Sequence, residues 1–199
     1  MVTLAPEADP ELAATRLLTE RGVVVALGHS TASYDAAGRA AAAGATVVTH
    51  LFNGMGPFHH REPGLAGAAL TDGRLTPTVI ADLVHVHPAA LRLAIGAKRS
   101  VALVTDAVAS GDVAADAVRL PDGTLAGSTL TLAGAVANVV ALGVSVERAV
   151  EMAATVPAEV LGRGERGRLA AGRRADVVAL DPRSLAVRTV WLAGERVVG

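Results

Sequence analysis

The sequence predicts an α/β fold built on a parallel sheet, and three observations lead there. Short apolar, β-branched runs alternate about five times with capped, Ala-rich helical segments, the pattern of βαβ crossovers. Hydrophobic residues make up 51% of the 199 residues but aromatics only 2%, so the core consists of small aliphatic layers that let helices pack closely on a sheet. Four successive apolar runs also end, immediately or within one residue, in side chains able to do chemistry: His29, His50, His85 and Asp106.

Each element has a local reason. "VTLAP" (2–6) is a short apolar run, and Asp9, Pro10 and Glu11 read as a helix start, with a cap, a proline and an acid at the positive end of the dipole. That helix is expected to run to about Arg21 and to end at Gly22. "VVVAL" (23–27) reads as a buried strand, and Ser30, Thr31 or Ser33 can cap the helix that ends near Gly44. "TVVT" (46–49) is the next strand, followed by a Gly/Pro/His-rich loop over 51–67. A strand over 76–84, a helix from His87-Pro88 and a strand over 100–105 come next. Helices are expected over about 129–142 and 145–161, the second kinked or divided at Val156-Pro157. Beyond Gly164, "GRLAAGRRADVVALD" and "VRTVWLAGERVVG" read as short strands with Gly turns, a small β appendage. The expected domains are therefore 1–163 and 164–199.

Composition excludes several classes of function. Net charge is −1 without a basic stripe, and Tyr34, Phe52, Phe58 and Trp191 are the only aromatics, so nucleic acid is not an expected partner. The absence of cysteine excludes disulfides and thiolate metal sites and fits a reducing, cytoplasmic compartment. Residues 1–20 show no signal-peptide pattern. Mean hydropathy is high at +0.44, but the longest uncharged stretch, 123–146, is broken by Gly, Ser, Thr and Asn and does not read as a membrane span.

In parallel α/β folds, chemistry sits beyond the carboxyl ends of the strands. A lone histidine there reads as a hydrogen-bonded structural residue, but four reactive side chains at equivalent positions point to one crevice. Neutral imidazole is the commonest metal ligand, and catalytic zinc takes about three protein ligands plus a water. A carboxylate such as Asp106 can take a proton from that water and return it to a leaving amine. Its alternative is a helix N-cap or a buried structural Asp. In the 51–67 loop, Asn53-Gly54 offers backbone N–H groups and Arg61 a planar fork for phosphate or carboxylate; the alternative is a surface loop with a solvated Arg. His59 and His60 are adjacent, so in extended backbone at most one faces a site. "LAGSTLTL" (125–132) either closes over a ligand or caps a helix, with Ser128 as the expected cap.

"VTLAPE", "GHS", "THLFNGM", "REPG", "ADLVH", "LVTDA" and "LAGSTLT", in that order, resemble the N-acetylglucosamine-6-phosphate deacetylase family of the amidohydrolase superfamily. The resemblance covers nearly the whole chain. It implies a partial (β/α)8 barrel, about strands four to eight, followed by part of a small β-sandwich domain. It implies metal ligands at His29 and His50, with zinc most expected and iron or manganese as alternatives, and a general base and acid at Asp106. Asn53, Gly54 and Arg61 would contact the phosphate, Arg61 in a neighbouring subunit's site, which implies a homodimer. His85, Leu125, Ala126 and Gly127 would bind the sugar, and the products would be acetate and glucosamine 6-phosphate.

The chain departs from the family in two respects. The resemblance begins at the family's fourth barrel strand, so its first three strands and its metal-binding glutamate are not expected within these residues; Glu7 ends a strand and is a candidate replacement, although nothing local favours it. The stretch from Asp106 to Gly127 is short, with little room for the family's hairpin, and Gly54 and Gly56 stand where relatives carry larger residues. Two other readings remain at this stage. One is a different amidohydrolase acting on a cyclic amide or another acetylated sugar. The other is an inactive half-barrel that binds sugar phosphate weakly or pairs with a full-length subunit.

Overall fold

A computed structural model describes residues 1–108, 112–113 and 117–199. Five short strands, β1 (Val2–Leu4), β2 (Val25–Leu27), β3 (Ala45–Val48), β4 (Thr76–Ile80) and β5 (Ala102–Val104), form one sheet in chain order. The pairings are parallel, with Val2 opposite Val25, Ala26 opposite Val47 and Val47 opposite Thr76. Each crossover thus returns beside the strand it left. Val25, Ala26, Leu27, Val47, Val48, Val79 and Ile80 are wholly buried, which is why these runs are continuously apolar rather than alternating.

The chain divides into two compact units, one comprising 1–80 with 86–102 and the other 81–85 with 103–199. The first carries the helices α1 (Ala13–Glu20), α2 (Tyr34–Ala42), α3 (Gly64–Thr71) and α4 (Pro88–Ala97). The expected helix start at Asp9-Pro10 is displaced. Pro6–Ala8 forms a 3-10 turn, Leu12 turns left-handed, and Asp9 caps α1 from a distance by accepting the Ala14 and Thr15 N–H groups at 3.1 and 2.8 Å. Gly22, at φ 71°, ends the helix as expected. Of the three candidate caps for α2, Ser33 is the one used, accepting the Ala36 N–H at 3.1 Å.

Helix α3 lies inside what reads from sequence as loop. Its two glycines lower helix propensity. Burial of Leu65, Ala66, Ala68 and Ala69 against α2 overrides that. Gly67 is needed within the helix itself, because a Cβ there would lie 2.2 Å from the Cβ of Pro63, its N-cap residue.

The second unit holds α5 (Leu132–Ala141), α6 (Val146–Val150) and α7 (Val156–Val160), with a π turn, Glu151–Thr155, between the last two. The division expected at Val156-Pro157 is therefore present, displaced a turn towards the N-terminus. Thr131 is the N-cap of α5, accepting the Gly134 N–H, whereas Ser128 serves a local turn by accepting the Leu130 N–H. The expectation that 107–126 has little room for a hairpin is corrected. Antiparallel strands β6 (Asp112–Val113), β7 (Val118–Arg119) and β8 (Leu125–Gly127) form a small sheet there, while 109–111 and 114–116 lie outside the described residues. The tail forms the antiparallel sheet of β9 (Val177–Leu180), β10 (Val187–Leu192) and β11 (Glu195–Val198), as the Gly-turn pattern predicts. Among the described residues, no helix is long and apolar enough to cross a membrane.

Candidate active site

His29 follows β2 and His50 follows β3, and both leave their strands in left-handed backbone, at φ 48° and 31°. Non-glycine residues rarely adopt that conformation, and it concentrates at functional sites. The turn at His50 is held by its N–H, which donates to the Thr78 hydroxyl at 2.7 Å. The two imidazoles meet edge to face, with centroids 4.6 Å apart and Nε2 atoms 2.8 Å apart. Two Nε2 atoms this close cannot both carry a proton pointing at the other. Either one donates to the other, or both lone pairs face a common cation. At ordinary zinc–imidazole lengths of about 2.0–2.1 Å, both nitrogens are near enough to share one ion. The pair therefore fits a divalent metal as two of its protein ligands.

A third ligand is not supplied by the described residues, among which no group of three or more His, Cys, Asp or Glu could hold an ion. Ligating histidines usually donate their other ring nitrogen to a partner. His50 Nδ1 is buried and has none among the described residues. Glu7, the candidate replacement ligand, is otherwise engaged. Its carboxylate accepts the Ser30 hydroxyl at 2.6 Å and the Thr31 N–H at 2.8 Å. Burial pushes its pKa up, but the hydrogen bonds from Ser30, its own N–H and Thr31 outweigh that and hold it below the ordinary value.

Glu7 instead braces the residues that follow His29. Ser30 is almost wholly buried and joins three loops: its hydroxyl meets Glu7, its N–H donates to the Gly54 carbonyl at 2.9 Å, and its own carbonyl accepts the Gly56 N–H at 3.2 Å. Gly54 sits at φ 59°, and a Cβ there would lie 2.9 Å from His29 Nδ1. A larger residue at this position must push the His29 ring.

The Asn53 N–H expected to face a ligand is already used, donating to the His50 carbonyl at 2.9 Å, and its side-chain amide donates to the His50 and Leu51 carbonyls. Asn53 thus stiffens the His50 turn. Arg61 is exposed, with its guanidinium 2.9 Å from His60 Nε2. The His59 and His60 rings were expected to diverge. They instead lie 4.2 Å apart, because the backbone folds back in a His59–Glu62 bridge rather than extending. Glu62 of "REPG" accepts the Tyr34 N–H at 2.8 Å and the Gly64 N–H at 3.2 Å, so one carboxylate serves the first turns of α2 and α3.

In the second unit, Asp106 follows β5 at φ 55°, again left-handed. It caps no helix among the described residues. Its carbonyl accepts the Ser128 N–H at 3.0 Å, and a Cβ on Gly127 would lie 2.9 Å from that carbonyl oxygen. The strand Leu125–Gly127 is thereby fastened to the Asp106 turn. His85 donates or accepts through Nδ1 at 2.6 Å from Asp82 Oδ2, both side chains being about 5% exposed. Sequence reasoning missed the roles of Glu7, Glu62 and Asp82. The first two act over long chain separations, whereas Asp82 stands three residues before His85 in the motif "ADLVH" and was legible.

Two strand-terminal imidazoles with converging Nε2 atoms on an α/β sheet are a metal-binding type of arrangement, and residues 14–197 match the amidohydrolase family model. The chain belongs to the amidohydrolase family, which is generally dependent on a divalent metal. It is 42% identical to N-acetylgalactosamine-6-phosphate deacetylase of Escherichia coli O157:H7 over 98% of this chain and 56% of the relative. It is 41% identical to N-acetylglucosamine-6-phosphate deacetylase of Danio rerio over 99% of this chain and 54% of the relative. Among solved structures it resembles N-acetyl-D-glucosamine-6-phosphate deacetylase of Mycobacterium smegmatis in complex with N-acetyl-D-glucosamine-6-phosphate, at a TM-score of 0.93 and 42% identity, covering 100% of this chain and 57% of that one. The Thermotoga maritima N-acetylglucosamine-6-phosphate deacetylase gives a TM-score of 0.89 at 33% identity, covering 98% of this chain and 58% of that one. The chain thus spans little more than half the length of these relatives.

Proposed function

We propose that this chain carries part of the machinery that hydrolyses the acetamide of N-acetylglucosamine 6-phosphate to glucosamine 6-phosphate and acetate. The convergence of the His29 and His50 Nε2 atoms to 2.8 Å carries the reading. The similarity to deacetylases of amino-sugar phosphates supports it. On this reading β1–β5 are strands four to eight of a (β/α)8 barrel occupying 1–163, and 164–199 belong to a small β domain. The compartment is the cytoplasm, and the longer form is a homodimer.

His29 and His50 would hold the divalent ion, zinc ahead of iron or manganese, which when bound supplies Lewis acidity to the amide carbonyl. Asp106 takes a proton from the attacking water and returns it to the amine nitrogen as the C–N bond breaks. His85, Leu125, Ala126 and Gly127 bind the sugar, and Gly54 and Arg61 the phosphate, while Asn53, whose N–H and side-chain amide turn inward, shapes the His50 turn beside it. Arg61 suits that role because its guanidinium is exposed and, among the described residues, engaged only with a neighbouring imidazole.

The test measures bound metal and acetate release together. His29→Ala is expected to lose both. Asp106→Asn is expected to keep metal but lose on the order of two to four decades in rate. A fully active Asp106→Asn variant refutes the assigned role. The absence of a third ligand among the described residues favours a second reading, a chain that binds sugar phosphate without turning it over. Zinc-loaded chain that binds the sugar phosphate but releases no acetate selects that reading.

A further inference from the structure

We propose that Asp82 is a positioning residue for His85, fixing its proton on Nδ1 so that Nε2 is presented as a hydrogen-bond acceptor for a hydroxyl of the sugar. The inference rests on the assignment of His85 to sugar binding and adds to it a residue and a direction. Both oxygens of the Asp82 carboxylate are engaged: Oδ1 accepts the N–H groups of Val84 and His85 at 3.0 and 2.9 Å, and Oδ2 lies 2.6 Å from His85 Nδ1. An ionised carboxylate has no proton to give, so Nδ1 is the donor. In the neutral ring the other nitrogen is then a bare lone pair. Among the described residues nothing bonds to Nε2.

The pair is built to stay put. The Asp82 and His85 side chains are 4% and 5% exposed, so water competes weakly for the contact. Leu83 between them turns left-handed at φ 68°, which closes the three-residue loop. The residue before Asp82 is anchored as well, because the Asn138 side-chain amide donates to the Ala81 carbonyl at 2.8 Å. A histidine serving only the core would not need its proton specified by a buried carboxylate. A histidine that must accept from a hydroxyl does, since the other tautomer presents N–H to a group whose own proton then lacks an acceptor.

The test reads the tautomer directly. Long-range 1H–15N correlation spectra of the purified chain, at a pH where the ring is neutral, distinguish the protonated ring nitrogen from the bare one. His85 signals are assigned by their loss in His85→Gln. The wild type is expected to show Nδ1 protonated. Asp82→Asn keeps an oxygen for the two backbone N–H groups but turns an amide donor towards Nδ1, so the proton is expected to move to Nε2. Adding N-acetylglucosamine 6-phosphate is expected to shift the wild-type Nε2 signal, and the Asn variant to bind about tenfold more weakly. A wild-type ring protonated on Nε2, or a tautomer unchanged in Asp82→Asn, overturns the proposal, and the wild-type spectrum alone decides should the variant fail to fold. Sugar binding that leaves Nε2 unmoved overturns the acceptor role. If the sugar moves no signal anywhere, the sugar-phosphate reading itself fails, while the tautomer result still decides the part played by Asp82.

Discussion

Glu7→Ala removes the carboxylate that braces the turn after His29, and the cost can be worked from its partners. The Ser30 hydroxyl at 2.6 Å and the Thr31 N–H at 2.8 Å both lose a charged acceptor. Thr31 is exposed and recovers a hydrogen bond from water, whereas Ser30 is 1% exposed and does not. The Ser30 oxygen still accepts the Ala32 N–H at 3.0 Å, but its proton is left without a buried acceptor, at a cost of about 1–3 kcal/mol, and with a further fraction for Thr31 the expected destabilisation is about 2–3 kcal/mol. For a chain of this size that lowers the melting temperature by roughly 4–12 °C. Urea denaturation of Glu7→Ala, Ser30→Ala and the double variant separates the terms. The orphaned hydroxyl is absent from the double variant, so a coupling of about 1–2 kcal/mol is expected. A Glu7→Ala variant within about 0.5 kcal/mol of wild type, or strictly additive single effects, would refute the brace.

Two further perturbations probe the first unit. Asp72 is held at a pKa of about 2 chiefly by hydrogen bonds from Arg74, against an ordinary value of 3.8. Its ionised form is favoured in the folded state, so its contribution is full above pH 3.8 and disappears as pH falls through about 2. Because Arg74 is 51% exposed, the pair is expected to contribute only about 1 kcal/mol. Denaturation of Asp72→Asn at pH 6 and pH 2 should show that difference at the first and only a small remainder of it at the second. Gly44 lies at φ 112° with a hypothetical Cβ only 2.5 Å from Thr19 Cγ2. Gly44→Ala combines backbone strain with overpacking and is expected to cost about 3 kcal/mol. Equal midpoints in a thermal melt would show that the backbone relaxes there.

The parallel sheet was legible because its cause is written locally. Buried strands are continuous apolar runs, and Gly22, Ser33 and Pro88 mark helix ends by their own chemistry. The positions of His29, His50 and Asp106 followed from the same runs. Helix α3 was hidden because it depends on burial against α2 rather than on propensity. Glu7 looked like a loose carboxylate because its partners stand 23 and 24 residues away. His59 and His60 were misjudged because adjacency fixes ring direction only once the backbone is known. Asn53 was read as a donor to a ligand, yet its N–H turns inward to the His50 carbonyl, a three-residue closure that spacing alone does not reveal.

The left-handed backbone found separately at His29, His50 and Asp106 sets opposing demands at each of these positions. Glycine would relax each of these turns, by an amount on the order of 1 kcal/mol, while removing the imidazole or carboxylate it carries. Selection for thermal robustness alone would therefore drift towards glycine at all three. On the proposed function, a glycine at any of the three would therefore raise stability while lowering bound metal or acetate release, a trade-off that a stability and activity measurement on the same variant reads directly.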